Sequence, residues 1–242
     1  DYEEMMRLCE EMVFFLVKEI IGKEEIDYQG KKISVKPPFK RVRLFDLLKQ
    51  RIGIDENTFF KELREKPTLR VGGIVSPTWE PETKLGERLY EIAKKIGIEV
   101  KREMPEHKIF DHIFEEKILP NLVEPIFVFD YLNKWTPLAK RKKDDPELVE
   151  RFEFFLAGEE IANAYTELND PIEQRKRLEE QAKAKAKGDE EAMVLDEDFL
   201  CALEHGMPPA AGLGIGIDRL VMVLTDTPSI RETIPFPLLR PE

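Results

Sequence analysis

Arg151-Phe-Glu-Phe-Phe-Leu-Ala-Gly-Glu-Glu-Ile-Ala-Asn-Ala-Tyr-Thr-Glu167 sets carboxylates inside what otherwise reads as core sheet. With Ala157-Gly158 as a two-residue turn, Leu156 pairs with Glu159, Phe155 with Glu160 and Glu153 with Ala162. Glu153 and Glu160 then lie diagonally on one face. Two carboxylates that close repel each other unless a cation sits between them. Such an oxygen-rich pair is what Mg²⁺ prefers when it also holds a nucleotide's phosphates. Further on, Asn163, Tyr165 and Glu167 share a face by the two-residue period of a strand. Glu160 is out of phase with them, so one pocket holding all four requires a bulge near Ile161–Ala162. The same spacing also fits an exposed sheet face with both acids turned to solvent and Tyr165 as a core aromatic. Spacing leaves both readings open.

The second informative stretch is Ala211-Gly-Leu-Gly-Ile-Gly-Ile-Asp-Arg219. Glycines at 212, 214 and 216 strip one strand face of side chains, so a flat ligand can lie against the backbone. Asp218 and Arg219 follow at the expected start of a helix, where Asp218 complements the helix dipole. Arg219 suits stacking on a ring or holding a phosphate. The spacing is not that of the dinucleotide-binding fingerprint. Close packing of strand on helix explains the glycines equally well.

Around these motifs, 1–21 has helical periodicity with Gly22 as its cap. A short hairpin is expected about Gln29-Gly30-Lys31, a strand at Arg41–Leu44, a helix at Leu44–Arg51 and a buried strand at Pro125–Phe129. Helices are expected over Gly86–Ile96, Lys108–Ile118, Pro171–Lys187, Asp196–Glu204 and Ile217–Thr225. Gly72-Gly73, Pro77 and Pro81 mark 54–85 as a peripheral insertion within one domain spanning 1–242. The mixture predicts an α+β fold, a mainly antiparallel sheet flanked by helices.

Composition narrows the field. A net charge of −11 argues against a large nucleic-acid footprint on this chain by itself. No apolar run approaches the length of a membrane helix. Cys9 and Cys201 stand in no metal-ligand spacing and read as reduced core thiols, which places the protein in the cytoplasm.

Taken together, these segments resemble the class II lysyl-tRNA synthetases. Gly212–Arg219 looks like the family's third signature motif, and Phe152–Phe155 with Glu160–Asp170 like its lysine- and metal-binding strands. Gly188–Met193, Ala202–Pro209, Thr136–Ala139 and Asp1–Met6 are similar too. The resemblance implies a partial class II catalytic core, ATP-dependent activation of lysine, and its transfer to the acceptor end of tRNA(Lys), in a homodimeric family. It implies Glu153 and Glu160 as Mg²⁺ ligands bridging ATP phosphates, and Glu167 facing the lysine ε-ammonium. Asn163 and Tyr165 would shape the pocket over a floor of Gly212, Gly214 and Gly216, and Arg219 would hold adenine and γ-phosphate.

The first two family motifs and the anticodon-binding barrel have no counterpart in the chain. Since it also begins with Asp1 rather than Met, the expectation is a C-terminal part of the core, inactive by itself. The alternatives are a paralogous ligase that attaches lysine to elongation factor P, and a non-catalytic binding module derived from a synthetase. Aspartyl and asparaginyl enzymes fit less well, because Glu167 suits a cationic substrate and repels aspartate.

Overall fold

The computed structural model describes residues 1–65, 83–101, 104–186, 189 and 191–236. The Gly72-Gly73, Pro77 and Pro81 punctuation, Gly188 and the tail from Pro237 lie outside the described residues.

In chain order the elements are α1 (Tyr2–Ile21), β1 (Glu25–Tyr28), β2 (Lys31–Ser34), β3 (Lys40–Arg43), α2 (Leu44–Ile52), α3 (Glu56–Arg64), α4 (Lys84–Lys95) and α5 (Glu106–Lys117). Then come β4 (Ile126–Leu132), β5 (Leu148–Leu156), β6 (Glu159–Thr166), α6 (Pro171–Ala186), α7 (Glu197–Glu204), β7 (Ala211–Ile215) and α8 (Ile217–Leu224). Local chemistry sets many of these boundaries. The Asp1 carboxylate accepts from the backbone amides of Glu3 and Glu4 at the start of α1, and Gly22 ends it at φ 74°. The β1–β2 turn needs positive φ at both Gln29 (48°) and Gly30 (75°), which closes a tighter hairpin than the three-residue turn expected.

The chain forms two compact units, 1–42 with 122–242, and 43–121. The smaller unit carries α2–α5 around an aromatic core. Phe45 meets Phe59 edge-on at 5.3 Å between ring centroids, and Phe110 packs against Phe59 at 6.3 Å. Within the stretch expected as an insertion, α3 is amphipathic, burying Phe59, Phe60 and Leu63.

The larger unit is built on a five-stranded sheet in the order β3-β4-β5-β6-β7, with β4/β5, β5/β6 and β6/β7 antiparallel. Phe152, Phe154 and Leu156 alternate onto one face, where they join Phe127, Ala162, Ala164 and the α1 residues Met6, Cys9, Val13 and Val17 in the core. The ring of Phe154 lies 4.9 Å from that of Phe127 and 5.6 Å from that of Phe39. Each such buried side chain contributes roughly 1.5–3 kcal/mol of hydrophobic stabilisation. Cys9 lies in this core, and burial pushes its thiol up to about 12. Cys201 does not. It is exposed on α7, whose buried side carries Leu200 and Leu203. Among the described residues, no helix is long and apolar enough to cross a membrane.

The β5–β6 register carries the feature that organises the opposite face. Leu156 pairs with Glu159 and Phe155 with Glu160, but Phe154 pairs with Ala162, leaving Ile161 as an extra residue. Ile161 and Ala162 both turn into the core. The sequence was expected to bulge here if one face were to hold all four polar residues, and it does. The bulge also corrects one pairing: Glu153 lies opposite Asn163, not Ala162.

Candidate active site

On the far side of the sheet from α1, a cavity of about 470 Å³ opens beside the β6–β7 pair. Arg151, Asn163 and Tyr165 line it from the strands, with Gly212, Leu213 and Gly214 of β7. Trp135, Thr136, Pro137 and Leu138 contribute from the loop after β4, and Met193 from the loop before α7. Asn163 pairs with Gly214 and Tyr165 with Gly212, so each polar side chain has a neighbour without one across the ladder.

At Gly212 the missing side chain leaves room for Glu167. A Cβ there would collide with Oε1 of Glu167, which occupies that space at the edge of the cavity. The Glu167 backbone is held from both sides, by a bridge to Ala139 and by its amide donating to the Ala210 carbonyl at 3.0 Å. Burial alone pushes its carboxyl above the usual carboxylate range. Among the described residues, no cation or hydrogen-bond donor pairs with that side chain. A half-buried carboxylate is costly without a counter-charge, so this is a position suited to a cationic ligand.

Glu153 has the opposite circumstances. Its Oε1 pairs with an Arg151 guanidinium nitrogen at 2.6 Å and accepts from Asn163 Nδ2 at 3.4 Å. Its Oε2 accepts from the Tyr131 hydroxyl at 2.6 Å. The guanidinium lies over the Tyr131 ring, 4.7 Å from its centroid, and Arg151 Nε donates to Asn163 Oδ1 at 3.2 Å. Burial raises the Glu153 carboxyl above its ordinary range against the lowering pull of Arg151, and the charge of Glu160 adds to the rise. Glu153 lies opposite Asn163 and Glu160 opposite Phe155, two residues along β5 from Glu153. With a side chain only 16% exposed, Glu153 is no solvent-facing residue of an open sheet.

Glu160 stands at the other end of the face, beside the first turn of α8. Arg219 reaches back from α8 to donate to the Glu160 carbonyl at 2.9 Å, and its guanidinium lies 3.4 Å from Glu160 Oε2. Gly216 caps α8 and donates its amide to the Ile161 carbonyl at 2.9 Å. A Cβ at Gly214 or Gly216 would meet its neighbours at ordinary distances of 3.6–3.7 Å. Of the three glycines, only Gly212 has a side-chain atom in the space that a Cβ would take.

The structure therefore brings Asn163, Tyr165, Gly212 and Gly214 together around one cavity, with Glu167 at its edge and Glu153 behind Arg151. Glu160, Gly216 and Arg219 form a second cluster further along β6. Among the described residues, no group of three or more His, Cys, Asp or Glu is placed to hold a metal. Two carboxylates on one face suit a hard cation that takes its remaining ligands from phosphate and water rather than a protein cage. Sequence reasoning missed Arg151, although the two-residue period places it on the same face as Glu153. It also missed Tyr131, Trp135 and Met193. The last two come from loops with no periodicity to betray them.

Residues 1–240 match the family model described as tRNA synthetases class II (D, K and N). Over 242 residues, all of this chain, the sequence is 46% identical to the lysine--tRNA ligase of Moorella thermoacetica, covering 45% of that protein. It is 45% identical to the lysine--tRNA ligase of Aquifex aeolicus over the same 242 residues, 37% of that protein. The lysine--tRNA ligase of Nostoc punctiforme is 46% identical, again over the whole chain and 39% of its own length. The chain thus spans less than half the length of these relatives. Together with the glycine strand, the bulged acidic hairpin and the cavity between them, these matches give one result: the chain belongs to the class II tRNA synthetases of the D, K and N group.

Proposed function

We propose that this chain carries the lysine- and ATP-binding part of a cytoplasmic lysine–tRNA ligase. The observation that carries the reading is the Glu167 carboxylate, half-buried, without a cation among the described residues, and given its room by Gly212. Of the other amino acids in the family's description, asparagine could offer that carboxylate only a neutral amide N–H, and aspartate would be repelled. A primary ammonium at the end of an aliphatic chain supplies the missing charge.

In this reading Glu167 binds the ε-ammonium, and Asn163 and Tyr165 hold the rest of the amino acid against the bare backbone of Gly212 and Gly214. The lysine carboxylate attacks the α-phosphorus of ATP, an acyl–phosphate bond forms, and pyrophosphate leaves. The 3′-terminal hydroxyl of tRNA(Lys) then attacks the lysyl carbonyl, and AMP leaves. Neither step needs a nucleophilic side chain, so the protein's share is alignment and charge stabilisation. Glu153 and Glu160 would hold Mg²⁺, which with ATP bound supplies neutralisation of the phosphate charge. Arg219, tethered to Glu160 and half exposed, would turn its free guanidinium edge to adenine and the γ-phosphate. A homodimer is part of the same proposal.

Isothermal titration of the 242-residue chain with lysine and with norleucine, its uncharged counterpart, tests this. Lysine is expected to bind at least about tenfold more tightly, the share of one charge-assisted hydrogen bond, and Glu167→Gln to abolish the preference. Equal binding of the two amino acids would refute the assignment.

A further inference from the structure

We propose that Arg151 is the positioning residue of the amino-acid pocket, fixing through its Nε–H which end of the Asn163 amide the cavity receives. The proposal rests on the lysine-pocket reading but concerns a residue that reading does not use.

A guanidinium only donates, so the Asn163 atom 3.2 Å from Arg151 Nε must be the oxygen. An ionised carboxylate only accepts, so the atom turned to Glu153 Oε1 at 3.4 Å must be the nitrogen. The two neighbours agree, and the amide has one permitted orientation. It is left with one Nδ2 hydrogen and one Oδ1 lone pair to offer a ligand. Without Arg151 the oxygen end loses its donor, and rotation of the amide costs little beyond the long contact to Glu153.

Arg151 is itself immobilised for this purpose. Its side chain is 17% exposed, paired with Glu153 at 2.6 Å and stacked on Tyr131, whose hydroxyl holds the other Glu153 oxygen. Arg151 lies opposite Tyr165 in the β5–β6 ladder, two residue pairs along from Glu153 and Asn163 and so on the same face. A lysine in its place would keep the ion pair with Glu153. It has neither a second donor at the Nε position nor a planar face for Tyr131.

Arg151→Lys therefore separates positioning from charge. In lysine titrations of the 242-residue chain, Arg151→Lys is expected to weaken binding about tenfold. In an Asn163→Ala background, the same substitution is expected to cost less than about twofold, because the residue it acts through is gone. An unchanged affinity in Arg151→Lys, or an equal loss in both backgrounds, would overturn the proposal. A second readout needs no ligand. The Asn163 side-chain amide resonances, identified by their loss in Asn163→Ala, should move in Arg151→Lys while the core methyl spectrum stays in place. An unmoved amide pair would overturn it as well. If the unaltered chain bound no lysine, the proposed function would fall, and the amide resonances alone would decide whether Arg151 orients Asn163.

Discussion

Replacing Gly212 by alanine probes the central geometry with one methyl group. The added Cβ would collide with Oε1 of Glu167, while Glu167 Cδ would sit at 3.6 Å, an ordinary contact. The carboxylate must therefore rotate away, and as the end of a flexible side chain it can do so. Gly212 is not among the glycines with positive φ, so alanine can adopt its backbone conformation. An alanine in a strand costs the unfolded chain some freedom that glycine keeps, which favours folding by about 0.5–1 kcal/mol. The stability of Gly212→Ala should then fall within about 1 kcal/mol of the unaltered chain. Lysine binding should suffer much more, because the displaced carboxylate no longer meets the ammonium. A hydrogen bond to a charged group contributes about 1.5–3 kcal/mol, so affinity should drop roughly ten- to hundredfold. Calorimetric titration with lysine, beside thermal unfolding of both proteins, measures the two effects separately. In Glu167→Gln, adding Gly212→Ala should cause no further tenfold loss. A folded Gly212→Ala chain that binds lysine as tightly as the unaltered one would refute the reasoning.

The acid at 167 should also leave a mark on stability without any ligand. Its folded-state carboxyl is raised by burial, so the native chain holds that proton more tightly than the unfolded chain, and stability falls as pH climbs from the ordinary carboxylate range through the raised value. Glu167→Gln should therefore be more stable than the unaltered chain at neutral pH, with the advantage fading in acid; an advantage that grows as pH falls would contradict the cause given. Phe154→Ala should cost about 3–5 kcal/mol in urea unfolding, because the ring is fully buried between Phe39 and Phe127. Arg219→Ala should weaken binding of a magnesium–ATP analogue about tenfold while leaving lysine affinity unchanged, and loss of both together would show that Arg219 serves the fold instead.

Much of this was legible in the sequence, and the reasons are specific. The period-2 alternation of Phe152, Phe154 and Leu156 fixes which face of β5 is core, and the Ala157-Gly158 turn fixes the first pairings. The need for a bulge followed from the phase mismatch between Glu160 and Asn163 alone. At Ile161 it brings Glu160 onto the face of Asn163 and Tyr165 and puts Glu153 across from Asn163 rather than Ala162. Gly212 was legible as a bare position on a strand, but its reason was not. That depends on a side chain of the neighbouring strand's end arriving at the same space, a tertiary coincidence with no local signal. An arginine two residues from a glutamate on a strand carries no signal of its own, since such pairs usually sit at the surface with little consequence. Here the pair is buried under Tyr131 and Asn163. Trp135 and Met193 reach the cavity from loops, where neither spacing nor periodicity constrains a side chain's direction.

The most direct test of the account is amino-acid-dependent exchange of pyrophosphate into ATP. The protein would be a full-length lysine--tRNA ligase, that of Moorella thermoacetica, with residues 1–242 of this chain replacing the 46%-identical matching segment. Lysine, aspartate and asparagine would be offered in turn, one for each member of the family's description. The account predicts exchange with lysine alone, lost at the same lysine concentration in Glu167→Gln. Exchange driven by aspartate or asparagine, or lysine-driven exchange that Glu167→Gln leaves intact, would contradict it.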